Sequence, residues 1–300
     1  MPIDVIGTTQ ASAWIPQIWA QEMLAALRNN VVLANLVNRD YDGQVANMGN
    51  TVNVPIPPVL TARDAPLADT TANNVTGTTT PVTLNKFKTV DVSVGDVAQA
   101  QSAPDIMRNI VRSAAIALAE TIENDLFALY TNATTNVGTG AVDVTPATVV
   151  AARKNLVTNK VPALAGKYLV LSPKDYAAIL GNSAINAALN YGSASAIQQG
   201  KVPSLYGFEL YESQLVPYVV GTPNTYYNLA LARDSMVLVT RPLPAPMATV
   251  QSAVISDPDS KLSFRMTLGY DQNGKSHRLS FDILYGVAAL RPSFMVQVKG

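Results

Sequence analysis

Residue types that carry much of enzyme chemistry are scarce in this sequence. Its 300 residues contain no cysteine and a single histidine. Without cysteine there are no disulfides, no thiol nucleophile and no thiolate metal ligand. One histidine is fewer than most metal sites and most acid–base enzymes use. Charged residues are also few, at 14% of the chain, against about 25% in an average soluble domain. We therefore expect other protein to cover much of the surface.

Neither sign of charge is in excess, because 21 Lys and Arg residues balance 21 Asp and Glu residues. Proteins that hold nucleic acid or anionic membranes rely on a surplus of Lys and Arg, so neither role is expected. No apolar run approaches the about 20 residues of a membrane span. Residues 1–10 lack the basic and apolar regions of a signal peptide. The pattern indicates a non-exported chain made in a cytoplasm, without a membrane partner.

No group of residues matches a catalytic or ligand-binding motif. His277 closely follows the turn residues 273–274, where we expect it on the surface of a hairpin, and no serine nucleophile elbow accompanies it. Residues 138–140 lack the third glycine of a dinucleotide-binding loop. Glu120 and Glu123 are expected on a solvated or salt-bridged helix face. The sequence therefore predicts no catalytic residue, no cofactor and no metal site.

An apolar helical pattern near the start of the chain contains both tryptophans. Apolar side chains recur there at steps of three and four residues, namely Trp14, Ile15, Ile18, Trp19, Met23, Leu24 and Leu27. A helix packed on its own domain and an arm lying across a neighbouring subunit both fit, because aromatic side chains also anchor interfaces. Trp14 and Trp19 are therefore interface candidates.

The next segment predicts an extended hairpin. Residues 51–58 form a short strand stopped by proline, and residues 86–94 alternate with period two, with Lys86 and Lys88 at the outer end. Between these strands, residues 68–83 are almost all small or polar, so we expect a long tip. A two-stranded hairpin is marginally stable alone in water. We therefore expect it to lie on a partner, with Lys86 and Lys88 as further interface candidates.

Residues 102–131 predict the longest helix, about 40 Å in length. Ser102 and Asp105 give it a start that resembles a capping box. One apolar stripe follows at spacings of three or four residues, formed by Met107, Val111, Ala114, Leu118, Ile122, Leu126 and Leu129. A helix of this length suggests a structural spine.

The remaining sequence divides into an α/β unit and a β-rich end. Residues 146–246 alternate helical and strand patterns and close with a proline-rich linker. In residues 261–286, apolar residues alternate on both sides of Asn273-Gly274, which is a strong hairpin signal. A two-residue turn there places Arg265 opposite Asp282 as a salt bridge, and large apolar residues face one another along the ladder. We expect the spine helix to pack on this hairpin.

Two stretches carry a family resemblance. The first comprises Trp14-Ile15-Pro16-x-Ile18-Trp19, Leu24, Leu27, residues 33–41 and residues 49–55. The second is residues 200–210 with Gly207-Phe208. With the order of parts above, they resemble the major capsid protein of tailed bacteriophages, which has the α+β Hong Kong 97-type fold. Encapsulin shell proteins share this fold. The resemblance extends over nearly the whole chain.

This resemblance implies a division into five segments. Residues 1–40 correspond to an N-terminal arm and residues 41–95 to an extended loop. Residues 96–133 belong to a peripheral domain with the spine helix, residues 134–246 form an axial domain, and residues 247–300 are return strands of the peripheral domain. In some relatives a loop lysine is cross-linked to an asparagine of a neighbour. Lys86 and Lys88, with Asn273, are the residues available for such a bond.

The resemblance also implies a function and partners. The chain is expected to self-assemble as hexamers and pentamers into an icosahedral head shell enclosing phage DNA, in a virion assembled in the host cytoplasm. The expected partners are a portal protein, a separate scaffolding protein and an optional decoration protein, and the shell is expected to contact packaged DNA non-specifically. No enzymatic activity is expected. Two alternatives stay open, namely an encapsulin-like compartment shell and, on residues 146–246 alone, an α/β enzyme.

Overall fold

A computed structural model describes residues 31–41, 50–56, 60, 77–96, 106–183, 202, 204–241, 243–246, 251–256 and 263–300. Trp14, Trp19 and the predicted arm helix lie outside these residues. The described strands form a five-stranded sheet, a seven-stranded sheet and a separate two-stranded hairpin, and helices pack on both larger sheets. No helix in this part of the chain combines the length and hydropathy needed to cross a membrane.

The described elements are numbered in chain order. They are α1 (Leu33–Leu36), β1 (Thr51–Ile56), β2 (Thr78–Thr83), β3 (Lys86–Gly95), α2 (Ile106–Phe127), a 3-10 helix (Ala128–Asn132), β4 (Thr135–Val137), α3 (Pro146–Thr158), β5 (Lys167–Leu171), α4 (Pro173–Gly181), β6 (Ser204–Leu205), β7 (Phe208–Glu212), β8 (Tyr218–Val219), β9 (Thr225–Ala232), a 3-10 helix (Arg233–Ser235), β10 (Met236–Arg241), β11 (Gln251–Ser256), β12 (Ser263–Asp271), β13 (Ser276–Ala289), a 3-10 helix (Pro292–Phe294) and β14 (Met295–Lys299).

The five-stranded sheet is built around the hairpin of β12 and β13. Its strand order is β10-β13-β12-β11, and β3 also pairs with β13. Arg265 lies opposite Asp282, and Met266 lies opposite Phe281, so the predicted register is confirmed. The period-two pattern sets this register because a slip of one residue would expose every large apolar side chain.

The turn of this hairpin is longer than predicted. The ladder ends at the pair Asp271 and Ser276, which leaves residues 272–275 as a four-residue loop. The backbone N–H of Asn273 donates to Asp271 Oδ1 at 2.9 Å, and Lys275 has a φ of 46°. The aspartate side chain thus closes the turn itself. The prediction of a two-residue turn at Asn273-Gly274 is wrong, although the register is unaffected.

The spine helix α2 packs on the apolar face of this sheet. Its described part begins at Ile106, and the predicted start at Ser102 lies outside the described residues. The predicted stripe is buried at Val111, Ala114, Leu118, Ile122 and Leu126, in one cluster with apolar side chains of β12 and β13. Among the described residues, the helix and the hairpin therefore share the largest of the three apolar cores, as expected.

The seven-stranded sheet forms the α/β unit. Its order is β4-β14-β9-β5-β7-β6, with β8 added to β9. Helix α3 begins with Thr145, whose hydroxyl accepts the N–H of Thr148, and with proline at its first turn. Side chains of α3 and α4, including Leu156 and Ile179, are fully buried in a second core with those of β5, β7, β9 and β14.

A buried aspartate connects α4 to this sheet. Asp175 accepts hydrogen bonds from Ser172 Oγ at 2.8 Å, Asn228 Nδ2 at 2.7 Å and the Val144 N–H at 3.3 Å. Its exposed fraction is 0%. Because a buried carboxylate is tolerated only when its oxygens are bonded, this network is a structural feature of the unit.

Two strands do not follow the segment limits expected from the sequence. Strand β10, placed in the axial segment, pairs with β13 in the five-stranded sheet. Strand β14, placed among the peripheral return strands, pairs with β9 and β4 in the seven-stranded sheet. The chain therefore passes between the two sheets again near its end. The division into five segments as a whole stays a prediction.

The predicted partner of the first hairpin strand is also wrong. Strand β1 pairs with β2, from the segment predicted to be the tip, and Ile56 faces Thr78 at the outer end of the ladder. Strand β3 pairs instead with β13. The residues of β2 are almost all threonine and valine, whose branched side chains favour strands. The extended hairpin therefore comprises β1 and β2.

Candidate functional site

The extended hairpin is attached to the body of the protein through a small apolar cluster, here called the hairpin seat. One side of the hairpin packs there on β10 and on the end of β13. The cluster comprises Val52, Val54, Val82, Leu84, Val237, Val239 and Leu290. On β1, the alternate residues Thr51, Asn53 and Pro55 are exposed. The hairpin therefore uses one face for its own subunit and leaves the other open.

Gly286 brings the base of the hairpin into direct contact with β13. A Cβ at this position would lie 2.5 Å from the carbonyl oxygen of Thr83 and 3.3 Å from Cα of Leu84. The Leu84 N–H donates to the Asn50 carbonyl at 2.7 Å and closes the hairpin base. Only glycine allows the backbone of the hairpin to lie this close to the sheet.

Lys86, one of the predicted interface residues, binds inside its own subunit. Its Nζ donates to Asp125 Oδ1 at 2.8 Å, and the Tyr285 hydroxyl donates to the other oxygen of the same carboxylate. Burial, and then the hydrogen bond to Asp125, raise the pKa of Tyr285. These contacts join β3, α2 and β13. Lys88 is half-buried on the same face of β3. An interface role for either lysine stays a prediction.

Glu123 is not on a solvated face, so that expectation is wrong. Its exposed fraction is 1%, and its carboxylate accepts backbone N–H groups from Val32 at 3.1 Å, Leu33 at 2.9 Å and Ala34 at 2.8 Å. Burial raises the pKa of Glu123, and the three N–H donors oppose this rise. Glu120, one turn earlier, is exposed as expected. The spine helix thus holds the chain where the predicted arm segment ends.

The face of the five-stranded sheet that points away from the spine helix carries paired charges, buried at Asp282 and exposed at Arg278. Arg265 Nη2 and Nε donate to Asp282 Oδ2 at 2.6 and 3.1 Å, so the predicted ion pair is present. Beside it, Arg278 lies 3.1 Å from Asp91, which also accepts from the Ser280 hydroxyl. The Ser280 hydrogen bond is the largest cause that lowers the pKa of Asp91. Each of these arginines thus faces an aspartate.

The α/β unit exposes a contiguous apolar segment. Tyr218, Val219 and Val220 follow one another in the chain and are exposed by 53%, 54% and 80%. Single exposed apolar residues are ordinary, but three in a row at the end of a strand pair form a patch typical of contact surfaces. This apolar tip is a second candidate surface beside the open face of the hairpin.

The single histidine lies where the hairpin pattern predicts it. His277 is the cross-strand neighbour of Tyr270, and the two rings meet edge to face with centroids 5.0 Å apart. Both residues lie next to the exposed turn. In the described part of the chain, no three His, Asp or Glu side chains converge in a group able to hold a metal ion.

Sequence reasoning missed Glu123 although a signal was present. Beside the predicted stripe runs a second buried row, formed by Ala115, Ala119 and Phe127. Glu123 lies in this row at the same four-residue spacing. A polar residue inside an apolar row predicts a buried group with dedicated partners. The Gly286 contact had no comparable signal, because it depends on a strand distant in sequence.

Comparisons with known proteins agree with this architecture. A model of the phage capsid protein family matches residues 77–297. A solved structure from Mycobacterium phage Che8 is 22% identical, with a TM-score of 0.65, and the match covers 89% of this chain and 90% of that chain. The capsid of cyanophage P-SCSP1u is 14% identical, with a TM-score of 0.62 and coverage of 89% and 87%.

An encapsulin is also similar in fold. The holo-SrpI encapsulin complex of Synechococcus elongatus is 16% identical, with a TM-score of 0.50, and the match covers 85% of this chain and 83% of that chain. No curated protein sequence matches the chain.

The family match extends across both sheets. It includes residues 146–246, on which the α/β enzyme alternative rested, so that unit is part of a structural protein. The chain belongs to the phage capsid protein family and has the Hong Kong 97-type fold of the major capsid proteins of tailed bacteriophages.

Proposed function

We propose that this major capsid protein self-assembles as hexamers and pentamers into an icosahedral head shell around phage DNA. The observation that carries the proposal is the extended hairpin, which is seated on its own subunit along one face and open along the other. The hairpin seat covers only one face of the hairpin and leaves the other face for a second surface. A neighbouring copy of the chain supplies that surface in a closed shell.

The apolar tip at 218–220 supports contacts around a symmetry axis. Its three exposed side chains would meet the same unit of the next copy in a ring. The balanced charge of the chain fits a shell that encloses DNA without binding it tightly. Assembly in the host cytoplasm, with separate scaffolding and portal proteins and an optional decoration protein, completes the proposal.

Deletion of residues 61–76 tests the role of the hairpin. The deletion leaves β1, β2 and the hairpin seat in place, so we expect subunits with unchanged circular dichroism and melting temperature. We expect them to form few closed shells in negative-stain electron micrographs. A control variant with a Gly/Ser segment of equal length separates the effect of sequence from that of length. Shells of unchanged thermal stability from both variants would contradict the proposal.

Val220→Asp tests the apolar tip. We expect sedimentation to show the loss of hexamers and pentamers, because a charge would enter a desolvated contact. The control Val254→Asp changes an exposed valine on the other sheet, opposite Arg265, and should leave assembly intact. If both variants assemble normally, the tip is not an intersubunit contact.

The likeness to an encapsulin favours a second candidate, a compartment that holds cargo protein. The contents of purified shells separate the two functions. Packaged DNA in particles from infected cells supports the phage head, and cargo protein without DNA supports the compartment.

A further inference from the structure

We propose that the buried Glu123 carboxylate is a positioning residue that sets the course on which the N-terminal arm leaves the subunit, and thereby which neighbouring copy the arm reaches. The inference about neighbouring copies rests on the proposed shell function. The contact to the arm-exit segment, residues 31–38, stands on the geometry alone.

The arm-exit segment depends on Glu123 because it has no cap of its own. Helix α1 has four residues, and its N-cap, Val32, makes no side-chain hydrogen bond to the helix. A helix this short is not stable by itself. Its first N–H groups need acceptors, and the side chain that supplies them lies about 90 positions farther along the chain.

The two oxygens of the Glu123 carboxylate divide the three N–H donors between them, and this arrangement fixes the direction of the backbone at Val32 as well as the contact itself. Val32 and Ala34 donate to Oε1, and Leu33 donates to Oε2. Three consecutive N–H groups meet one carboxylate only when the backbone turns around it. Val31 and Val32, where the arm-exit segment begins, must therefore lie on a defined side of the spine helix.

The other end of the segment is held separately. Asn38 donates its backbone N–H to the Met236 carbonyl at 3.0 Å, and its Nδ2 donates to Asp234 at 2.8 Å. Between the two ends, Leu33 and Val37 are buried in the main core. With the Asn38 end fixed by β10, loss of the Glu123 contact frees only the end that leads into the arm.

A carboxylate in this position is costly unless the arm-exit segment is docked. Burial penalises the charge of Glu123, and the groups that offset this penalty are the three backbone N–H donors. An apolar side chain would fill the space without directing the chain. The presence of a charged acceptor inside an apolar row thus points to a directional role rather than to core packing.

Three variants separate direction from stability. Glu123→Leu removes both acceptor oxygens and fills the same space with an apolar side chain of similar size. Glu123→Gln keeps one carbonyl oxygen for Val32 and Ala34 but turns an NH2 group toward the Leu33 N–H, so partial rescue is expected. Glu120→Gln changes an exposed glutamate on the same helix and is the matched control.

Hydrogen exchange of unassembled subunits measures the contact, and electron microscopy of assembly reactions measures its consequence. For Glu123→Leu we expect the hydrogen-exchange rates of the backbone N–H groups of residues 32–34 to rise about tenfold or more. Assembly reactions run well below the melting temperature of this variant should give irregular or open particles. Glu123→Gln should give a smaller rise and a larger share of regular shells, and Glu120→Gln should match the original protein.

The outcomes are distinct. Unchanged exchange in Glu123→Gln overturns the proposal even if Glu123→Leu fails to fold. Faster exchange with normal shells overturns the link between Glu123 and the choice of neighbour. If the original protein forms no shells, the proposed function fails together with that link, while the exchange measurement still decides whether Glu123 holds the arm-exit segment.

Discussion

Gly286→Ala should loosen the extended hairpin from its seat. The added Cβ would lie 2.5 Å from the Thr83 carbonyl oxygen, so the hairpin base must move by roughly 0.5–1 Å to reach ordinary contact distance. Overpacking of this kind costs about 1–3 kcal/mol. The lower entropy of the unfolded alanine variant returns about 0.4–1 kcal/mol. We expect the free energy of unfolding to fall by about 1–2 kcal/mol.

Urea unfolding of unassembled subunits, followed by circular dichroism, measures this loss. Hydrogen exchange of residues 78–84 should rise in the same variant, because the strain falls on the hairpin base. Gly95→Ala is the matched control, since no atom lies within 4 Å of a Cβ there, and its stability should be unchanged or slightly higher. Equal free energies of unfolding for the two variants would refute the close contact between Gly286 and Thr83.

Three further changes probe other contacts. Asp175→Ala leaves three buried donors without an acceptor and should lower the free energy of unfolding by about 2–4 kcal/mol in urea; a value under about 0.5 kcal/mol would show that the network does not stabilise the unit. Tyr285→Phe should cost about 1 kcal/mol in the same assay, and equal losses in Tyr206→Phe, at an exposed tyrosine, would count against the Asp125 bond. The pKa of Asp91 is lower in the folded protein than its ordinary value of 3.8. Ionised Asp91 therefore stabilises the fold above pH 3.8, and this stabilisation is lost as the pH falls through the folded pKa. Asp91→Asn should make the melting temperature fall less steeply with decreasing pH, and identical slopes of melting temperature against pH in the two proteins would contradict this prediction.

Local patterns were sufficient for the elements that the sequence predicted correctly. The β12–β13 register follows from alternation, since only one register buries Met266, Leu279 and Phe281 together. The spine helix follows from a stripe of three- and four-residue spacings. In both cases the spacing of apolar residues within one segment specifies the element. Burial of the apolar face is therefore enough to select a strand or a helix.

Pairings between distant segments were not predictable in the same way. Strand β3 has a period-two apolar pattern and was therefore predicted to pair with residues 51–56. Strand β2 has no such pattern, because four of its six residues are threonine and one is proline. The continuous apolar run of β10 is typical of a strand buried on both faces. It did not indicate that one face meets the spine-helix core and the other the hairpin seat.

The sequence by itself determined the main helix and the hairpin near the C-terminus, because short-range periodicity acts within a few residues. It indicated the fold class through a family resemblance. Tertiary structure decided what Glu123 and Gly286 do. Their roles arise from backbone groups. Any residue except proline could supply the N–H groups of residues 32–34, and any residue at all could supply the carbonyl of Thr83. A contact made to backbone leaves no trace in the identity of the partner residue, so only the folded chain reveals it.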